Sequence, residues 1–153
     1  KNFAFKTGVR TFEAASYLKK SGADTIEVKK LFNSDIKDFI TKAEIIQNAK
    51  VINNNICLAY TKTETDNINI VIAQAADELL NIKEVEASFV LARKDDRVFI
   101  SARSLGNINV HVLMENLGGG GHRDMAGAQL DTSLEKAYEM VKDTIQTCIK
   151  EEE

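Results

Sequence analysis

The chain has 153 residues, 44% of them hydrophobic, with 20 Lys and Arg against 23 Asp and Glu, a net charge of -3 and a pI near 5.5. This size suits one compact domain, or one domain with the trailing edge of another, and is enough to form a real core. The acidic balance excludes a general grip on polyanions such as duplex DNA, so a nucleotide ligand would have to be held by a local site.

Cys57 and Cys148 have no CxxC spacing and no histidine beside them, which points to a reducing compartment and against zinc. No apolar run approaches the roughly 20 residues of a membrane helix, and the opening KNFAFKTGVR lacks the apolar stretch of a signal peptide. The chain is therefore expected to be soluble, and its start at Lys rather than Met reads as a fragment of a longer protein.

In chain order, TFEAASYLKKSGAD predicts a helix capped at Thr11, with Ala14, Tyr17 and Leu18 on one face, Lys19 and Lys20 in the last turn, and Gly22 at the stop. SDIKDFITKAEIIQNAK places Ile36, Phe39, Ile40, Ala43 and Ile46 or Gln47 on a helical stripe that Ser34 or Asp35 starts. Asn53 to Asn55 turn the chain into ICLAYT, an apolar run suited to a buried strand. Helical spacing returns from Ile68 to Leu80 through Ile68, Val71, Ile72, Ala75, Ala76 and Leu79. VEASFVLARK and RVFISARS alternate, with Val85, Ala87, Phe89 and Leu91, then Val98, Ile100 and Ala102, inward; Asp95-Asp96 between them predicts a hairpin.

Asn107 is expected to cap a helix that runs to about Asn116, with Val110, Leu113, Met114 and Leu117 on its apolar face. A glycine run follows, then AGAQL as a strand, then SLEKAYEMVKDTIQTCIK as a closing helix that Ser133 caps alone. Helices alternating with strands on either side of a central hairpin predict an α/β fold: a mixed β-sheet of about five strands flanked by helices, preceded by a helix.

Several chemistries are excluded by what is missing. Hydrolytic metal sites need several Asp, His or Cys ligands converging on one ion, and His111 and His122 belong to no HxH, HxxxH or DxD pattern. No complete metal centre is expected in these residues. Neither Ser101 nor Ser104 is paired by any sequence feature with a histidine base, so this piece is not expected to catalyse alone.

The run LGGGGHRDMAGAQ, Leu117 to Gln129, matches neither GxGxxG nor GxxxxGK[ST]. Two readings stand. Either Gly118 ends the preceding helix and the rest is a connector, or the four consecutive glycines let successive N–H groups turn towards one anion while His122 adds a hydrogen bond or a charge. Arg103, at the end of an inferred strand, is placed for bidentate phosphate contact or for stacking on a base, unless it is simply solvated. Asn107, His111 and Glu115 form a polar stripe read as a solvated face, with Asn107 at the tip able to face a ligand. From Ser101 to Gln129, Arg103 and Arg123 balance Glu115 and Asp124, which fits a small nucleotide better than a long nucleic acid.

GGGGH followed by small residues, with SARS upstream at a strand end, resembles the signature of the DHH-associated substrate-binding domain, whose usual pattern is GGGGHxxAAG; here Met125 replaces the first alanine. FKTGVRTFEAASYLKKSGAD together with RSLGNINVHVLMENLGGGGH resembles the carboxy-terminal part of the GdpP-type cyclic-di-AMP phosphodiesterases of the DHH family, over essentially the whole chain. The resemblance implies that residues 1–33 are the end of a DHH domain and its linker, and that residues 34–153 are the DHH-associated domain that closes over the nucleotide. It implies a full-length hydrolase in which metal-bound hydroxide attacks a phosphodiester of cyclic-di-AMP in line, giving linear pApA. Two manganese ions would be held by aspartates and histidines of the DHH domain, with no catalytic residue and no metal in this fragment.

The same resemblance implies that Arg103, Ser104, Asn107, Gly119, Gly120, Gly121 and His122 line the substrate side, Arg103 and His122 foremost. The implied partners are a cyclic or short linear dinucleotide and the DHH domain of the same chain, not a long nucleic acid, and a homodimer is compatible with them. The implied parent is membrane-anchored, with this part in the cytoplasm. The competing expectations are a nucleic-acid-binding module, since related glycine-histidine domains occur in single-strand exonucleases and in alanyl-tRNA synthetase, and a nanoRNase acting on short oligonucleotides such as pApA.

Overall fold

The computed structural model describes residues 7–53 and 55–151; the opening KNFAFK and Asn54 of the predicted turn lie outside the described residues. The chain divides into two units, residues 1–35 and 36–153. The first holds α1 (Val9–Lys20) and α2 (Thr25–Lys30). Gly8, not Thr11, is the N-cap of α1, because the Gly8 carbonyl already accepts from the Thr11 N–H at 3.0 Å and Thr11 falls inside the first turn. Gly22 ends α1 as expected: at φ 98°, it and Ala23 donate their N–H groups to Lys19 O and Leu18 O. Asp24 then caps α2 by accepting from Ile26 N at 2.8 Å.

The second unit runs α3 (Ile36–Gln47), β1 (Lys50–Ile52), β2 (Ile56–Thr61), α4 (Ile68–Leu79), β3 (Ala87–Lys94), β4 (Arg97–Ser104), α5 (Val110–Glu115), β5 (Gly120–His122), β6 (Met125–Leu130) and α6 (Leu134–Glu151). One six-stranded sheet has the order β1-β2-β3-β4-β6-β5. Among the described residues only β2 and β3 pair in parallel, as a crossover through α4 requires. The four strands placed from the sequence are joined by β1 and β5, three residues each and too short to show an alternation, which makes six rather than about five.

Helices cover both faces of the sheet. On one side α3 and α4 pack over Cys57, Ala59, Val90 and Ala92. All six predicted inward residues of α4, from Ile68 to Leu79, are buried there. On the other side Val110, Leu113 and Met114 of α5 and Ala137, Val141 and Ile145 of α6 meet Leu58, Phe89, Leu91, Val98, Ile100 and Ala102. The central strand β3 is therefore buried from Ala87 to Ala92 without alternation. Ser88 is accommodated by donating its hydroxyl to Ala76 O at 2.7 Å. The β3–β4 turn falls at Asp95-Asp96 as predicted, with Lys94 opposite Arg97 and Asp95 at φ 53°.

Two helices differ from expectation. α3 buries Thr41 and Ile45, while Ile36, Phe39 and Ile40 lie outward. Its rotation is set by its C-terminal end, where Ile45, Ile46 and Ala49 reach the α4 cluster, and this carries the earlier apolar side chains round to the outer face. α5 starts at Val110, with Asn109 at the N-cap position, so Asn107 lies in the preceding loop rather than capping the helix. Ser133 does cap α6, accepting from Lys136 N at 3.3 Å. No helix among the described residues is long and apolar enough to cross a membrane.

Cys57, on β2, is 1% exposed, and burial pushes its thiol pKa up. A group held protonated more tightly in the native state contributes stability that is intact below its unfolded pKa, about 8.5 for a thiol, and lost as pH rises through its native one. The unfolding free energy measured in urea should therefore fall as pH is raised from about 8 to about 10, and Cys57→Ala should flatten part of that slope. Identical slopes in the two proteins would show that Cys57 carries none of it.

Candidate functional site

The glycine run is neither a connector nor an open loop. Gly118 ends α5 at φ 75°, and the N–H groups of Gly118 and Gly119 donate to Glu115 O and Met114 O at 2.9 and 2.8 Å. This is the paired closure of a helix over a left-handed residue. It corrects the expectation that the successive glycine amides turn together towards one anion, since two of them are used at the helix end. Gly120 and Gly121 then enter β5, which pairs with β6 across a turn at Arg123-Asp124. A Cβ at Gly119 would strike Gly127 O and Ala128, and one at Gly121 would strike Ala126 and Met125 O, whereas one at Gly120 would meet open space. Gly127 in turn lies so close to β4 that its Cβ would sit 2.8 Å from Ile100 O. Glycine is needed here for the approach of one backbone to the next.

Residues directly opposite each other in adjacent strands project to the same side of a sheet. Arg103 of β4, Met125 of β6 and His122 of β5 form one such row; Ser101, Gly127 and Gly120 form the next, and Phe99 and Gln129 another. All lie on the α4 side. α4 lies over β3 and β4, and beside it Met125, Gln129 and His122 are exposed. A groove of about 520 Å³ runs along this boundary, between Asn69 and Ile72 of α4, Phe99, Ser101 and Arg103 of β4, Gly127 and Gln129 of β6, and Gly118 and Gly119 at its rim.

Arg103 is the groove's cation. Its side chain is 13% exposed, with Nε donating to Asp77 Oδ1 of α4 at 2.9 Å and Nη1 donating to Ala102 O at 2.9 Å. A guanidinium has five N–H groups in a rigid fork, so the two bonds hold its orientation and leave the rest for a ligand. A larger recess of about 860 Å³ lies at the β3–β4 turn. Its arginines are already neutralised, Arg93 by Asp96 at 3.6 Å and Arg97 by Asp131 at 3.0 Å.

The sequence-predicted residues do not all meet. Arg103 and Gly119 line the groove. His122 and Gly120 lie beside it on the same face, His122 two strand spacings from Arg103, or about 10 Å. Gly121 alternates to the other side. Ser104, 3% exposed, also points to the opposite side from Arg103 and does not join the groove. Its hydroxyl donates to Ile108 O at 2.6 Å and accepts from Gly106 N at 3.0 Å, while its own N–H donates to Asp124 O at 2.9 Å. Arg123 Nε adds a bond to Gly106 O at 3.0 Å, so Ser104 secures the 105–109 loop against the β5–β6 turn. Asn107 is exposed in that loop, and the predicted polar stripe reduces to His111 and Glu115, 3.2 Å apart.

Asn69, Phe99 and Gln129 line the groove and Asp77 holds its arginine, yet the sequence does not mark them; the strand pairing and the α4 crossover bring them together. Among the described residues no three His, Cys, Asp or Glu side chains converge as a metal site would require.

Residues 53–151 match the DHHA1 domain family. The chain is 45% identical over 149 residues to the cyclic-di-AMP phosphodiesterase GdpP of Bacillus subtilis, which takes in 95% of this chain but 23% of that protein. The chain therefore spans less than a quarter of this relative's length. The crystal structure of an exopolyphosphatase-related protein from Bacteroides fragilis superposes with a TM-score of 0.81 at 20% identity, over 95% of this chain and 45% of that one. RecJ from Thermus thermophilus, in complex with Mn2+, superposes at 0.53 and 15% identity, over 72% of this chain and 17% of that one. These two likenesses are of fold.

The glycine geometry separates three adjacent positions. Gly119→Ala and Gly121→Ala should each lower the unfolding free energy by about 1–3 kcal/mol, the usual cost of overpacking. Gly120→Ala should change it by less than about 0.5 kcal/mol, as for a surface position with free space. Denaturant titration of the three variants checks the order, and equal losses at all three would show that contact with β6 is not what requires glycine.

Proposed function

The chain belongs to the DHHA1 domain family, and from that premise we propose that it is the substrate-binding part of a metal-dependent phosphodiesterase that hydrolyses cyclic-di-AMP to pApA. One observation carries the reading: a groove of nucleotide size has a largely buried arginine fixed at its wall, with a histidine on the same sheet face beside it. In this reading Arg103 binds a phosphate oxygen through the N–H groups that Asp77 leaves unused. His122 adds a hydrogen bond to the same nucleotide from β5. Gly119 and Gly120 keep side chains out of the way so that backbone can approach the phosphate, and Gly121 lets β5 lie on β6. Asn107 reaches the ligand from the loop that Ser104 holds.

Manganese, held by a DHH domain of the same parent, would supply the Lewis acidity that this groove does not contain. Residues 1–33 are read as the end of that domain. The resemblance to the GdpP-type enzymes supports a membrane-anchored parent with this part in the cytoplasm; a homodimer is compatible with the reading and is not required by it. A net charge of -3 favours a dinucleotide over a long nucleic acid.

The test is kinetic. Removing a hydrogen bond to a charged group such as a phosphate costs about 1.5–3 kcal/mol, so Arg103→Ala and His122→Ala in the parent enzyme should each lower kcat/KM for cyclic-di-AMP by about 10- to 100-fold. The chain alone should hydrolyse none with manganese present. Unaltered turnover in both variants, or hydrolysis by the chain alone, overturns the reading.

A further inference from the structure

Between Arg103 and His122 the sheet face carries a methionine, Met125. It is the direct partner of Arg103 across β4 and β6, and of His122 across β6 and β5, so the three side chains share one row and one side of the sheet. Direct partners on adjacent strands have Cβ atoms about 4.5–5.5 Å apart. The Met125 sulfur, on a flexible unbranched stem, is therefore within reach of the polar ends of both neighbours. The adjacent row, Ser101, Gly127 and Gly120, has no side chain large enough to cover it. Met125 is 39% exposed, whereas Met114 lies fully buried under α5; the third methionine, Met140, is 37% exposed on α6, which packs on the opposite face. The GGGGHxxAAG pattern that this run resembles has alanine at position 125, so the thioether is this chain's own departure.

We propose that Met125 is a modification site: a peroxide oxidises it to the sulfoxide, and the modified side chain weakens nucleotide binding at this face. The proposal rests on the nucleotide-binding reading above and adds a regulation to it. Hydrogen peroxide transfers one oxygen atom to Sδ. The sulfur is oxidised by two electrons, the O–O bond breaks, an S–O bond forms, and the other peroxide oxygen leaves as water. A thioether is only a weak acceptor, and next to Arg103 and His122 it leaves their N–H groups to a ligand. The sulfoxide is polar, and its oxygen accepts from the guanidinium N–H groups that Asp77 leaves unused, or from the His122 ring. It thereby occupies the donors that a phosphate oxygen needs. The fold is little affected, because Met125 stands outside the packed core that holds Met114. Methionine sulfoxide reductases return the thioether, so the change is reversible.

The experiment treats the parent enzyme with hydrogen peroxide, removes the oxidant with catalase, and compares kcat/KM for cyclic-di-AMP with that of the untreated sample, in the wild type, Met125→Leu and Met140→Leu. Peptide mass spectrometry follows the sulfoxide at each methionine. In the wild type kcat/KM should fall by about fivefold or more, the worth of one hydrogen bond, mainly through KM, in step with the Met125 sulfoxide and at an unchanged melting temperature. Met140→Leu should lose as much, and Met125→Leu less than about twofold, each relative to its own untreated sample. Treatment with methionine sulfoxide reductases A and B should restore the wild type. A Met125 that resists oxidation while Met140 is oxidised, full Met125 oxidation with unchanged kinetics, or an equal loss in Met125→Leu overturns the proposal alone, provided Arg103→Ala and His122→Ala remain impaired. If those two variants turn over cyclic-di-AMP like the wild type, the nucleotide-binding reading fails and this proposal fails with it.

Discussion

Gly119 and Gly121 sit where a single methyl group would strike β6, and the arrangement of the site depends on that closeness. Because these positions carry no side chain, the backbone leaves α5 through a left-handed glycine and returns at once to the sheet as an added edge strand. A β-carbon at either position would push β5 away from β6. The pairing of Gly120 with Gly127 would then loosen, and His122 would leave the row it shares with Met125 and Arg103. The glycines thus act chiefly by steric absence, and what they fix is the location of a histidine. Two of their amides finish a helix, so the anion-binding capacity that four consecutive glycines suggest is smaller than the run itself implies.

A second constraint is electrostatic. Arg103 is largely withdrawn from water, where an unpaired guanidinium would be costly, and Asp77 of α4 answers it at 2.9 Å. One pair therefore does two things: it ties α4 to β4 along the wall of the groove, and it turns the guanidinium plane. Ser104, the next residue on the strand, points the other way and plays the corresponding part for the backbone. Its three hydrogen bonds bind the 105–109 loop to the β5–β6 turn. Adjacent residues of one strand thus stabilise opposite sides of the same structure, as the two-residue period of a strand dictates.

That period also explains what the sequence discloses. α4, whose six apolar residues recur over a full 12-residue helix, is legible in full, as are the β3–β4 hairpin and the Ser133 cap. β5 is not, because a strand of glycines has no side chains to alternate. The burial of α3 is misplaced because Ile36, Phe39 and Ile40 form as good a local stripe as the one actually buried, and only the α4 cluster decides between them. In the site, Arg103 and the Gly-His run stand out by residue type and position. Asp77, Asn69, Phe99 and Gln129 are ordinary residues whose one shared property is a crossing of α4 over β4 beside β6, which no local window contains.

The unequal cover of the sheet links these observations to function. The face under α5 and α6 is closed by apolar side chains from Leu58 to Ile145, and its burial stabilises the domain whatever happens opposite. On the α4 side, cover ends beside β6, where exposed Met125, Gln129 and His122 continue the sheet. Groups there contribute little to packing, so they can change without opening the core. The arginine end lacks that freedom, because Arg103 is built into the wall by Asp77. Along this groove the charged residue is therefore part of the fold, while the exposed side chains beside it are ones the fold does not need.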